Sequence, residues 1–148
     1  MDIPVTDGLE GKVVIVTGAG ARGDGIGNGR AAAILLAASG ARVLCVDREI
    51  ELAEGTVAMI ESSGNTASAF AADVTRQADC EAMVEAALSA WGRLDVLDNN
   101  VGIGSRGSVV VESYERWRRV MEVNVDSMFL SSKAAIPVMI AAGGGAII

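Results

Sequence analysis

Between Lys12 and Asp47 the chain passes from an apolar run through a glycine-crowded loop, TGAGARGDGIGNG, into an alanine-rich segment and out along a second apolar run that ends in an acid. Few folds accommodate that order. KVVIV, Lys12 to Val16, is a short β-branched run suited to a strand buried on both faces, and such strands have parallel neighbours. Thr17 and Gly18 end it, and the following glycines let the backbone turn tightly and come within contact distance of a pyrophosphate. Arg30 to Gly40, RAAAILLAASG, predicts a helix whose N-terminal N–H groups and dipole favour an anion. Arg42 to Val46 predicts a second strand that delivers Asp47 at its carboxyl end. A carboxylate there can accept both ribose hydroxyls of an adenosine and repels a 2′-phosphate, whereas a helix N-cap is its plain alternative role. The stretch therefore reads as a nucleotide-binding βαβ unit.

The alternation continues to the end of the sequence. Glu49 to Ser62 carries Leu52, Val57, Met59 and Ile60 at helical spacing, and Thr66 to Ala72 predicts a third strand with Asp73, Val74 and Thr75 at its carboxyl end. Asp73 has the same capping alternative as Asp47. Gln77 to Trp91 predicts a helix and Arg93 to Leu97 a fourth strand, leading into Asp98 to Gly102. After a polar loop, Ile103 to Val111, one long helical region runs from about Ser113 to Ala142, and Ala146 to Ile148 begin a fifth strand. The expectation is one α/β domain spanning residues 1–148, a doubly wound parallel sheet ordered 3-2-1-4-5 and truncated at the start of its fifth strand.

Composition narrows the function classes. Of 148 residues 51% are hydrophobic and only 3% aromatic, which suits Ala/Val/Ile/Leu layers around a parallel sheet. A net charge of −7 argues against a nucleic-acid or anionic-membrane partner, since either needs clustered Lys and Arg. Cys45 and Cys80 form no CxxC and there is no histidine, so no metal site is expected and reduced thiols in a cytoplasmic protein are the plain reading. The opening segment, MDIPVTDGLEG, lacks a basic stretch followed by an apolar core, and no apolar run reaches membrane-spanning length.

Four motifs in order carry a family resemblance: the TG-plus-glycine turn, Asp47 after strand two, Asp73-Val74 after strand three, and NNVG at Asn99 to Gly102. From LEGKVVIVTG to GGGAII the chain resembles the amino-terminal, cofactor-binding portion of the short-chain dehydrogenase/reductase family, a Rossmann fold. The resemblance implies that Gly18, Gly27 and Gly29 seat the pyrophosphate, that Asp47, followed by Arg48, selects NAD, and that Asp73 and Val74 lie along the adenine. It implies that Asn100, Val101 and Gly102 belong to a turn that supports the central strand and contacts the adenosine ribose. Asn124, in VMEVNVDSMF, matches the helix asparagine of the family's catalytic tetrad, whose backbone helps hold a proton-relay water. Arg22 or Arg48 could reach a 2′-phosphate, which keeps NADP as the minority reading.

The departures are specific. The family turn is TGxxxGxG, and a literal match from Thr17 puts Arg22 and Asp24 where glycines belong. Anchoring on helix length and Asp47 aligns the last pair as Gly27 and Gly29, with five extra residues after Gly18; the alternative uses Gly25, Ile26 and Gly27. A literal GxGxxG from Gly18 to Gly23 reads as coincidence in so glycine-rich a stretch. Val101 replaces the family's usual alanine, and Asp98 occupies an apolar strand position, where an unpaired buried carboxylate is costly. The family's Ser and its YxxxK pair would fall beyond Ile148. The one tyrosine, Tyr114, is followed four residues later by Arg118, and Lys133 has no tyrosine four before it, so both read as surface or interface residues.

By resemblance the function is NAD-dependent hydride transfer between an alcohol and a ketone or aldehyde, with the 148-residue chain expected to be an inactive fragment by itself. The alternative is a catalytically silent nucleotide-binding or subunit-partner module. In that case the helix of Asn124, bearing Val125, Met128, Phe129 and Ile136, would favour a homo-oligomer.

Overall fold

The computed structural model describes residues 8–23 and 25–148. The readings made on Met1 to Asp7 and on Asp24 lie outside the described residues.

The KVVIV run forms β1 (Val13–Thr17), buried along its whole length. It pairs in parallel with β2 (Arg42–Asp47) on one side and β4 (Val96–Asp98) on the other; β2 continues to β3 (Ala67–Ala71) and β4 to β5 (Ala146–Ile147). The order is 3-2-1-4-5, as the sequence predicts. Alternate residues of each strand face opposite layers. Val14, Val16, Val43 and Cys45 meet α1 (Asn28–Ala38) and α2 (Ile50–Ser62) through Ala33, Ala37, Ala53 and Ile60. Val13, Ile15, Leu44 and Leu97 form the other layer with Cys80, Met83, Ala135 and Met139, which lie on α3 (Gln77–Trp91) and α5 (Ser127–Ala141). Gly92, at φ 73°, closes α3 in the left-handed conformation that a side chain would resist.

Three departures from the expected elements matter for the sheet and the site; the other element ends shift by at most two residues. Helix α1 starts at Asn28 rather than Arg30, because Gly29 already lies against the β1 turn. Strand β4 starts at Val96 rather than Arg93. Asp95 instead turns its carboxylate onto the sheet's lower edge, where Oδ2 accepts from the Val13 N–H (2.9 Å) and Arg93 Nε (2.8 Å), and Oδ1 from Arg93 Nη2 (2.6 Å) and Lys12 Nζ (3.2 Å). The long helix from 113 to 142 is also not uniform: α4 (Tyr114–Met121) passes into a π-helical turn, Glu122–Asp126, before α5. Single π turns of this kind are frequent at functional sites. Among the described residues, no helix is long and apolar enough to cross a membrane.

Candidate functional site

A cleft of about 280 Å³ opens at the carboxyl ends of the strands, close to the range of roughly 300–1,000 Å³ common for ligand pockets. Ligands of open parallel sheets bind at these strand ends, where the order of strands reverses. Eight of the ten residues expected to bind cofactor line it: Gly18, Asp47, Arg48, Asp73, Val74, Asn100, Val101 and Gly102. Gly27 and Gly29 lie outside the lining, at the start of α1.

The glycines of the turn divide by what surrounds them. Gly18 leaves β1 with φ +64°, and a Cβ on it would stand 3.1 Å from Val101 Cγ2. At Gly29 a Cβ would collide with the Gly18 carbonyl, so this glycine lets α1 sit directly against the end of β1. Gly27 is the extended residue before the helix (φ −76°, ψ 167°), with only the Ala21 Cβ near its own Cβ position, so the protein does not itself demand glycine there. Of the glycines in the two candidate alignments only Gly29 is buried; Gly25 and Gly27 are exposed and precede the helix.

Gly20 was not among the expected residues. A Cβ there would lie 2.6 Å from Asp47 Oδ2, and its N–H donates to that same oxygen at 3.0 Å. The signal lay in the GxGxxG from Gly18 to Gly23, of which Gly20 is the middle glycine.

Asp47 also accepts from the Glu49 N–H through Oδ1 at 3.1 Å, so its carboxylate joins the glycine turn to the turn after β2. Glu49 rather than Asp47 precedes α2, and no side chain caps that helix. Asp73 closes its own turn, accepting from the N–H (3.0 Å) and hydroxyl (2.6 Å) of Thr75, and it does not cap α3. Burial pushes the Asp73 carboxyl up, but the Thr75 hydroxyl and N–H and the charges of Arg119 and Arg48 outweigh it and hold it below the usual range. Arg119, on α4, lines the cleft and pairs with Glu122 at 2.8 Å. No local spacing links it to Asp73; only the fold brings them together.

Asn100 and Asn124 both brace loops. The Asn100 amide donates to the Thr17 and Gly18 carbonyls, each at 3.1 Å, and its N–H donates to the Thr17 hydroxyl, which donates in turn to the Asp98 carbonyl at 3.0 Å. These bonds lock the ends of β1 and β4 together. Asn124 sits in the π turn and makes two bonds to one residue: Oδ1 accepts from the Ile103 N–H (2.8 Å) and Nδ2 donates to the Ile103 carbonyl (2.9 Å). It thereby fixes the loop that follows Gly102, and it stands behind the cleft lining rather than in it. Tyr114 and Lys133 are exposed.

The family model for short chain dehydrogenases matches residues 12–148. The chain is 38% identical to cyclohexanol dehydrogenase of Acinetobacter sp. (strain SE19), an alignment covering 100% of this chain and 57% of that protein. It is 41% identical to 2-(S)-hydroxypropyl-CoM dehydrogenase 3 of Xanthobacter autotrophicus, over 95% of this chain and 53% of that one. Among solved structures, a short-chain dehydrogenase/reductase from Burkholderia xenovorans superposes with a TM-score of 0.90 at 41% identity, over 94% of this chain and 55% of that chain. Hydroxysteroid dehydrogenase from Escherichia coli superposes with a TM-score of 0.86 at 36% identity, over 94% and 57%. The chain thus spans little more than half the length of the relatives it matches.

Proposed function

The chain belongs to the short-chain dehydrogenase family, and from that premise we propose that it is the dinucleotide-binding part of an NAD-dependent oxidoreductase acting between an alcohol and a ketone or aldehyde. Members of the family bind nicotinamide cofactors and act on small-molecule alcohols. The observation that carries the reading is the gathering of Gly18, Asp47, Asp73 and the Asn100–Gly102 turn around one cleft at the strand ends. Gly29 lets α1 begin directly against the end of β1, and the free N–H groups of a helix start in that place favour a pyrophosphate.

When bound, the nicotinamide cofactor supplies the hydride acceptor or donor. The remaining roles fall to this chain. Asp47 offers its carboxylate to the adenosine ribose and disfavours a 2′-phosphate. Of the two cations that could offset that repulsion, Arg22 is held by Glu49 at 2.8 Å, whereas Arg48 lines the cleft next to Asp47. Asp73 and Val74 flank the adenine, while Asn100 keeps the floor of the cleft rigid. Asn124 is a positioning residue that holds the Ile103 loop for the proton relay.

A fluorescence titration of the 148-residue chain tests this reading. NADH is expected to bind at least tenfold more tightly than NADPH, a difference of about 1.4 kcal/mol. Asp47→Ala should weaken NADH and narrow the ratio. Equal affinities, or no binding of either, would sink the proposal.

A further inference from the structure

The loop from Gly18 to Gly27 is five residues longer than the family turn that it resembles, and one buried side chain holds it. Arg30, in the first turn of α1, is only 4% exposed. Its Nη2 donates to the Ala21 carbonyl (2.9 Å), its Nη1 to the carbonyls of Gly25 (2.9 Å) and Gly23 (3.4 Å), and its Nε to the Thr56 hydroxyl (3.0 Å). Thr56, buried on α2, passes the contact on by donating to the Ala19 carbonyl at 2.7 Å. One guanidinium and its relay thus reach four carbonyls between residues 19 and 25.

A loop of this length, rich in glycine, loses much backbone entropy when ordered. Several charge-assisted hydrogen bonds from one rigid fork oppose that loss, and the single ammonium of a lysine could not reach carbonyls spread over so wide an arc. The place of the clamp matters for binding. The segment it holds carries Gly20, whose N–H meets Asp47, and ends where α1 presents its first N–H groups.

We propose that Arg30 is a positioning residue for dinucleotide binding, folding the lengthened loop back onto α1 and α2 so that the start of α1 stays open to a pyrophosphate beside Asp47. The inference rests on the NAD-binding reading above. In a chain with a short turn the covalent backbone would supply the same constraint, which makes the role testable in two backgrounds.

The test uses the 148-residue chain, Arg30→Met and Arg30→Lys, and a chain lacking residues 22–26, whose turn becomes TGAGAGNG. NADH titration and the rate of tryptic cleavage after Arg22 are the readouts. In the parent background both substitutions should weaken NADH about tenfold or more and speed cleavage by a similar factor, whereas in the shortened background Arg30→Met should change NADH affinity less than about twofold. Parent-level affinity in Arg30→Met would overturn the proposal. So would an equal loss in both backgrounds, which would mark Arg30 as a residue of α1–α2 packing only. If the shortened chain does not fold, the tryptic rate decides: a rate in Arg30→Met and Arg30→Lys equal to the parent's overturns the clamp. A parent chain that binds no NADH defeats the functional reading itself, an outcome distinct from parent binding that survives loss of Arg30.

Discussion

Asp95 and Asp98 lie three residues apart and respond to pH in opposite senses. Burial pushes the Asp95 carboxyl up, but hydrogen bonds from Arg93, the Val13 N–H and Lys12, with the charge of Arg93, bring it down to about 2. A carboxyl depressed in the folded state adds stability that is complete above its ordinary range near pH 4 and is lost as pH falls toward 2. Asp98, in register with Val16 and half-buried, is pushed up by desolvation, with no hydrogen bond or neighbouring charge offsetting it. Its penalty is therefore absent in acid and incurred as pH rises through its raised pKa. Thermal melts should show Asp95→Asn lowering Tm at pH 7, with the deficit shrinking toward pH 2, and Asp98→Asn raising Tm at pH 7 but not at pH 3. No gain from Asp98→Asn at pH 7 would mean that solvent pays the hydration of this carboxylate in full. The two residues also differ in legibility. Asp98 stood out because the family resemblance puts an apolar strand residue there, whereas the role of Asp95 appears only where β1 and β4 bring Lys12 and the Val13 N–H beside it.

At the level of elements, β-branched runs made β1 and β2 readable, and helix α3 falls on its predicted bounds because its apolar spacing and Gly92 stop are both local. The π turn was hidden. It adds one residue to a turn and barely disturbs the apolar period, and neither glycine nor proline marks it. Pro137 does mark α5, lying inside the helix with its ring exposed. Proline removes the hydrogen bond to the Lys133 carbonyl and crowds it, at a cost that approaches 3 kcal/mol relative to alanine in a helix interior. Since little packing would be lost, Pro137→Ala should raise Tm, by about 2–4 °C for each kcal/mol recovered in a chain of this size. Calorimetry measures this directly, and a lower Tm would mean that the proline ring is itself a packing group.

For the molecule as a whole, the fold order was legible because alternating strands and helices leave few topologies once crossovers are right-handed. The site was legible where motifs sit at strand ends, and not where tertiary contact makes it, as at Arg119. The exposed apolar surface of the π turn and α5 belongs to this scale. Val125, Met128, Phe129, Ile136 and Ile140 are all exposed, and we propose that they pair two copies of the chain. Sedimentation velocity should show a concentration-dependent dimer that Phe129→Asp shifts toward monomer; a monomer at all concentrations would refute it.

The two cysteines lie in opposite layers of the sandwich. Burial raises the Cys45 thiol to about 12, and burial with the nearby Asp79, Asp73 and Glu81 raises Cys80 to about 11. Neither can react with an alkylating reagent until its layer opens, because only an exposed thiolate is nucleophilic. The chain therefore carries two internal clocks, one for each side of the sheet, and iodoacetamide labelling followed by mass spectrometry reads both at once. Cys80, in the first turn of α3, should be labelled faster than Cys45, which lies on β2 between β1 and β3. Identical rates would mean that the two halves of the sandwich come apart in a single event.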